Sequence, residues 1–189
     1  MKRFTNSIKI LLSAFLLTTS LFGYAQKTLA LDAKPLLKIS GTSSLHDWDM
    51  NSETATGKLV ASFSGNTISE IKSLQVEMPA ESIKSGKNGM DKNAYKALKT
   101  TQFKTVKFDL KAAEKNADGT WNFTGAFAIA GVTKAVTLKI KEVTSNNVSV
   151  FEGSYSFKLT DYNITPPTAL MGTVKTGNDV KMSFTIKFK

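Results

Sequence analysis

The run Val180-Lys181-Met182-Ser183-Phe184-Thr185-Ile186-Lys187-Phe188 decides the fold class. Apolar side chains occupy every second position, and Lys181, Ser183, Thr185 and Lys187 fill the alternate ones. Successive side chains of an extended chain point to opposite faces, so the segment reads as a β-strand with one apolar and one polar face. A helix of this sequence would scatter its phenylalanines around the axis. The polar Thr176-Gly177-Asn178-Asp179 just before it reads as a turn.

Working outward, the same period recurs at Val106, Phe108 and Leu110, at Trp121, Phe123, Gly125, Phe127 and Ile129, at Val136, Leu138 and Ile140, and at Phe151, Gly153, Tyr155, Phe157 and Leu159. Asn116-Ala117-Asp118-Gly119 and Asn146-Asn147 have the composition of hairpin turns. Gly153 inside a strand marks a bend or a close contact. The first half is less regular, yet Leu36 to Trp48, Lys58 to Phe63 and Ile71 to Met78 have strand-like content. One interval breaks the pattern. Between Gly89 and Thr101, Met90, Ala94 and Leu98 recur every fourth residue while Lys92, Lys96 and Lys99 take other faces, which predicts a short amphipathic helix capped by Asp91. Pro166-Pro167 marks a loop. Short antiparallel strands, turns and one helix imply an all-β barrel or sandwich of roughly eight strands in one domain. Alternation by itself does not choose between the two.

The 189 residues include 25 basic and 15 acidic side chains, one histidine and no cysteine. Without sulfur ligands there are no disulfides, thiol nucleophiles, thiolate zinc sites or iron–sulfur clusters. His46 alone would have to carry any Ser-His-Asp chemistry with Ser43 or Ser44. A metal site on His46, Asp47 and Asp49 is disfavoured because neighbouring residues of a strand diverge. No phosphate-cradling glycine loop is present, so no cofactor is expected. These absences point to a binding protein and not to an enzyme. The basic balance invites nucleic acid as a partner, but no concentrated basic and aromatic stripe is seen, and an anionic membrane surface suits the charge better.

Lys2, Arg3 and Lys9 precede an uncharged stretch from Ile10 to Gln26 that is rich in leucine and phenylalanine and ends in small residues at Gly23 and Ala25. This is the pattern of a secretory signal peptide over residues 1–25, cleaved near Ala25, with a periplasmic or secreted bacterial protein beginning at residue 26. The apolar part is shorter than a membrane span and is interrupted by Thr18-Thr19-Ser20. An outer-membrane barrel, with Phe188 as its terminal aromatic, would share signal and alternation.

Gly41-Thr42-Ser43-Ser44-Leu45-His46-Asp47-Trp48 and Ala128-Ile129-Ala130-Gly131-Val132-Thr133-Lys134, together with Met90-Asp91-Lys92, Tyr95-Lys96-Ala97-Leu98, Phe103, Phe108 and Gly177-Asn178-Asp179-Val180, resemble the YceI-like family of exported bacterial proteins. The resemblance spans nearly all of residues 26–189, with a departure at Thr160 to Pro167. It implies an extended antiparallel lipocalin-like β-barrel with a short helical insert. It further implies an apolar interior that holds a polyisoprenoid or other amphiphilic or fatty lipid for transport or storage.

On that reading the barrel lining comprises Val76, Met78, Phe108, Leu110, Trp121, Phe123, Phe127, Ile129, Leu138, Tyr155, Phe157, Met182, Phe184 and Ile186. His46, Trp48, Lys84, Lys87 and Lys92 are the candidates for the pocket mouth. Removing a hydrocarbon from water contributes about 0.8 kcal/mol per CH₂, so a long chain needs few specific contacts. The same side chains would equally fill a solid core. In that case the protein would act through its surface, as an envelope interaction or stress-response protein.

Overall fold

A computed structural model describes residues 25–32, 34–145 and 148–189. All but the last residue of the expected signal segment, and the expected Asn146-Asn147 turn, lie outside the described residues. The strands are β1 (Ala25–Ala30), β2 (Leu36–Ser43), β3 (Trp48–Ser52), β4 (Thr56–Ser64), β5 (Thr67–Pro79), β6 (Thr105–Lys115), β7 (Trp121–Ile129), β8 (Val132–Ser145), β9 (Val148–Lys158), β10 (Thr168–Ala169) and β11 (Val174–Phe188). Among the described residues one α-helix, α1 (Asn88–Leu98), interrupts them between β5 and β6. Three strands exceed the roughly eight that periodicity predicts. They are β1, the two-residue β10, and β3, which a hairpin splits from β2 within the polar run before Trp48.

Every named strand pairing is antiparallel, in the order β1-β4-β5-β6-β7-β8-β9-β11-β2-β3, with β10 on β11. The sheet curls into a barrel because one edge of β11 is shared. Thr176 to Thr185 pair with β2, and beyond them Lys187 and Lys189 exchange main-chain bonds with Ala30 and Asp32 at the end of β1. The β2–β3 hairpin therefore enters as a wedge between β11 and the rest of the ring. Its outer edge is tied by reciprocal 2.8 Å bonds between Asn51 and Lys84, just after β5. A ring closed directly at one end and wedged open at the other is narrow at the first and wide at the second.

Side-chain polarity places the core inside. On β7, Trp121, Phe123, Gly125, Phe127 and Ile129 are buried, while outward Lys139 and Lys141 on β8 and Lys181 and Lys187 on β11 are exposed. A membrane-spanning barrel needs an apolar outward belt, the opposite polarity. Aromatic edges interlock along the inner wall: Phe127 meets Phe108, Tyr155 and Tyr162 at ring-centroid distances of 6.2, 5.4 and 6.3 Å. Phe108 and Phe184 lie across Gly125 and Gly153, where any Cβ would come within 2.6–2.7 Å of the ring. The close contact expected at Gly153 is thus a phenyl ring filling the space of the missing side chain.

Two local expectations are corrected. Thr176 to Asp179 do not reverse the chain but run within β11 as an irregularity in its pairing with β2. Their polarity serves the neighbouring strand, just past the end of β9, where the Asn178 amide exchanges hydrogen bonds with the main-chain N–H and hydroxyl of Thr160. Asp91 is not the helix cap. The helix begins at Asn88 after Lys87, and the Asp91 carboxylate turns back to accept bonds from Ser85.

Candidate functional site

Among the described residues, the interior opens into a small cavity and a large one. At the narrow end, Phe123, Leu138, Ile140, Phe151, Phe184 and Ile186 are among the side chains around a void of only about 60 Å³. At the wide end a chamber of about 1020 Å³ opens between the barrel, α1, the β2–β3 hairpin and the segment linking β9 to β11. Met78, Val106 and Met182 line both, so they form the throat between them. The solid and the hollow interior that periodicity leaves open occur in the same barrel, one at each end.

Each wall has a local cause. Met90, Ala94, Ala97 and Leu98 share one face of α1, and all four line the chamber. The helix is held over the opening by its flanks. Tyr95 Oη lies 2.9 and 3.0 Å from the Glu81 and Ile83 carbonyls, and the Thr100 hydroxyl donates to Glu81 at 2.7 Å. In the hairpin, the Ser43 hydroxyl accepts from the main-chain N–H groups of Leu45 and His46 and donates to the His46 carbonyl at 2.7 Å. The Trp48 indole lies across Gly41 and donates to the Thr42 carbonyl at 2.8 Å. Across the chamber, Phe157, Leu159 and Ile164 complete the apolar wall around buried Tyr162. Burial pushes the Tyr162 hydroxyl well above the ordinary phenol range, so it stays protonated beside Tyr155.

At α1, the Ser85 hydroxyl and main-chain N–H donate to Asp91 at 2.6 and 2.8 Å. The hydroxyl bond, then the amide bond, holds the Asp91 carboxyl below its ordinary value of 3.8. A depressed carboxylate stabilises the fold above the unfolded-state pKa and loses that contribution as pH falls through the folded one. Asp91→Ala is therefore expected to lower the urea midpoint at pH 7, with the difference from wild type shrinking below about pH 4. A midpoint difference that stays constant from pH 7 to pH 3 would remove Asp91 as the anchor. Near it, the Lys84 ammonium is held above its ordinary value chiefly by its bond with Tyr95, over whose ring it lies at 4.9 Å.

Of the expected lining residues, Val76, Met78, Phe108, Phe123, Phe127, Leu138, Met182, Phe184 and Ile186 surround the narrow cavity, and Ile129 and Phe157 the wide chamber. Leu110, Trp121 and Tyr155 line neither. Leu110 faces Gly125 next to a bulge in β6. Trp121 plugs the narrow end, donating to Glu142 at 3.2 Å with Lys115 over its ring. Tyr155 is stacked on Phe157 with its hydroxyl 3.2 Å from that of Tyr162. At the mouth, His46, Trp48, Lys87 and Lys92 reach the chamber, whereas Lys84 does not. Beyond the expected lining, the narrow part also takes Val106, Ile140 and Phe151, which share the apolar period, and Leu37 and Leu74, while the wide one takes Ile39, Met50, Ile83, Ile164 and the α1 face. The helix face was legible as apolar, and an apolar helix face in a β chain must cover something.

The polar candidates take structural partners. The Ser43 hydroxyl is occupied by main chain, that of Ser44 accepts from the Lys175 N–H, the His46 imidazole donates to the Asp47 carbonyl at 2.6 Å, and Asp49 pairs with Lys38. Among the described residues, no three histidine or acidic side chains gather as metal ligands would.

Comparison with known proteins adds the lineage. The model of the YceI-like domain matches residues 37–188. No curated protein matches the chain. Among solved structures, BcnA of Burkholderia cenocepacia superposes with a TM-score of 0.65 at 16% identity, over 80% of this chain and 95% of that one. A polyisoprenoid binding domain from Saccharophagus degradans, implicated in plant cell wall breakdown, gives 0.65 at 11% identity over 85% and 97%. The YceI protein of Campylobacter jejuni gives 0.54 at 18% identity over 69% and 79%. At these identities the superpositions show a shared fold.

Proposed function

We propose that this chain, which belongs to the YceI-like domain family, binds a long-chain amphiphilic lipid of the polyisoprenoid type in its wide chamber and carries it without chemistry. The chamber of about 1020 Å³ is the observation that carries the reading. It equals the upper end of ordinary small-molecule pockets, and at ~30 Å³ per molecule it would otherwise hold about thirty waters against apolar walls. A hydrocarbon chain releases that water and meets the throat at Met78, Val106 and Met182, where the flexible methionines adapt to an irregular tail. The polyisoprenoid binding by the similar Saccharophagus domain supports this cargo.

Lys87 and Lys92 at the mouth suit an anionic or polar headgroup that remains near water. The side chains that a catalyst would need are engaged in holding the hairpin, which favours binding over turnover. The signal-like first 25 residues favour an exported carrier, periplasmic or secreted. The test is solvent extraction of protein purified without detergent, followed by mass spectrometry. About one equivalent of an isoprenoid or similar lipid is expected. Folded protein that stays empty, and still does not take up an added isoprenoid alcohol, would overturn the reading.

A further inference from the structure

We propose that the wide end of the barrel is a membrane-docking edge, which sets the chamber mouth against an anionic lipid bilayer. The proposal rests on the lipid-carrier reading for its purpose, but its own observations are separate.

Among the described residues, five large apolar side chains are exposed: Leu36, Leu45, Val143, Leu170 and Met171. Three of them, Leu45, Leu170 and Met171, line the chamber mouth, with relative exposures of 67%, 71% and 108%. Leu36 begins β2 and Val143 is near the end of β8, both away from the mouth. The three mouth residues come from two tips joined by main chain. The Ser44 N–H donates to the Lys175 carbonyl at 2.9 Å, Lys175 pairs with Thr168, and the Thr173 N–H donates to Leu170 at 3.2 Å.

Their exposure is built into the backbone. Leu170, Met171 and Gly172 have φ of 49°, 56° and 88°, the left-handed region that bulky side chains avoid. The turn holds Met171 fully in water beside a chamber that has room for it. An exposed apolar cluster with a polar rim is the signature of an interaction surface.

Charge selects the partner. Residues 84–104 carry six lysines and a single acid, Asp91, whose carboxylate is buried against Ser85. This segment contains α1, the roof of the mouth. Lys87 and Lys92, which line the mouth together with these apolar tips, match a bilayer that is negative at its surface and apolar a few ångströms below. The chamber then opens toward the lipid phase, and a cargo chain crosses without passing through water.

The experiment is co-sedimentation of the purified protein with vesicles of phosphatidylcholine alone or mixed with phosphatidylglycerol, with extracted lipid measured in parallel. The expected result is binding to the mixed vesicles that weakens with salt, falls about tenfold or more in the Leu45→Ser, Met171→Ser double variant, and is unchanged in Val143→Ser. Equal binding by the double variant and Val143→Ser would overturn the proposal. So would binding by none of the proteins, or a wild-type dimer in light scattering that the double variant abolishes, because the patch would then cover a second copy. A Lys96→Glu, Lys99→Glu variant, at exposed positions that do not line the chamber, is expected to lose docking while its extracted lipid stays at the wild-type level, which separates this surface from the chamber. Docking by a protein that holds no lipid would leave the edge standing and remove the carrier.

Discussion

Phe127→Ala is expected to cost the fold about 3–5 kcal/mol, the range for removing a buried aromatic ring. Phe127 is 3% exposed and its ring is edge-on to Phe108, Tyr155 and Tyr162. Removing it takes away one buried ring and strips three others of a partner. The neighbours cannot collapse into the gap, because β6, β9 and the segment after β9 fix their positions separately. Domains of this kind are stable by about 5–15 kcal/mol, so the variant should unfold at a much lower urea concentration with the slope unchanged. Met182→Ala removes a half-buried side chain that faces the throat, and a loss of about 1 kcal/mol is expected there because fewer contacts are forfeited. Equal losses at the two positions would mean that the interior does not grade from packed to hollow.

The second large effect is on cargo. Ala94 and Ala97 are small residues within α1 that line the chamber, so two indoles introduced there occupy the chamber without displacing a packed core. The Ala94→Trp, Ala97→Trp variant is expected to fold with a urea midpoint near that of wild type. Bound lipid recovered by extraction should drop about tenfold or more, since the apolar volume that paid for desolvating the chain is gone. Should the double variant fail to fold, Ala97→Phe puts the same question with a smaller ring. Undiminished lipid on a folded blocked variant would place the cargo outside the chamber. Lost lipid with an unchanged midpoint separates binding from stability, which truncation of a core phenylalanine cannot do.

The strand faces were legible because polarity alternation is local: β7 and β11 need only their own residues to show which side is apolar. The β6–β7 hairpin was legible from its composition, with Asn116 to Gly119 lying between paired Lys115 and Trp121 and Gly119 at positive φ. Polar clusters misled where a distant partner used them. Asn178 resembles a turn residue until Thr160 is brought beside it, and Asp91 resembles a cap until Ser85 is. Trp121 and Tyr155 have the right period for a lining, but period gives the face and not the height along the barrel.

By itself the sequence determined an all-β chain with inward apolar faces, one amphipathic helix, and enough family pattern to indicate a barrel. Only the tertiary structure decided that the barrel is packed at one end and hollow at the other. An apolar inner face satisfies the hydrophobic effect equally well against another side chain or against a guest, so composition and period are the same in both cases. The difference arises from contacts between residues far apart in the chain. Ala30 closes the narrow end onto Lys189, while the β2–β3 wedge and α1 hold the wide end apart.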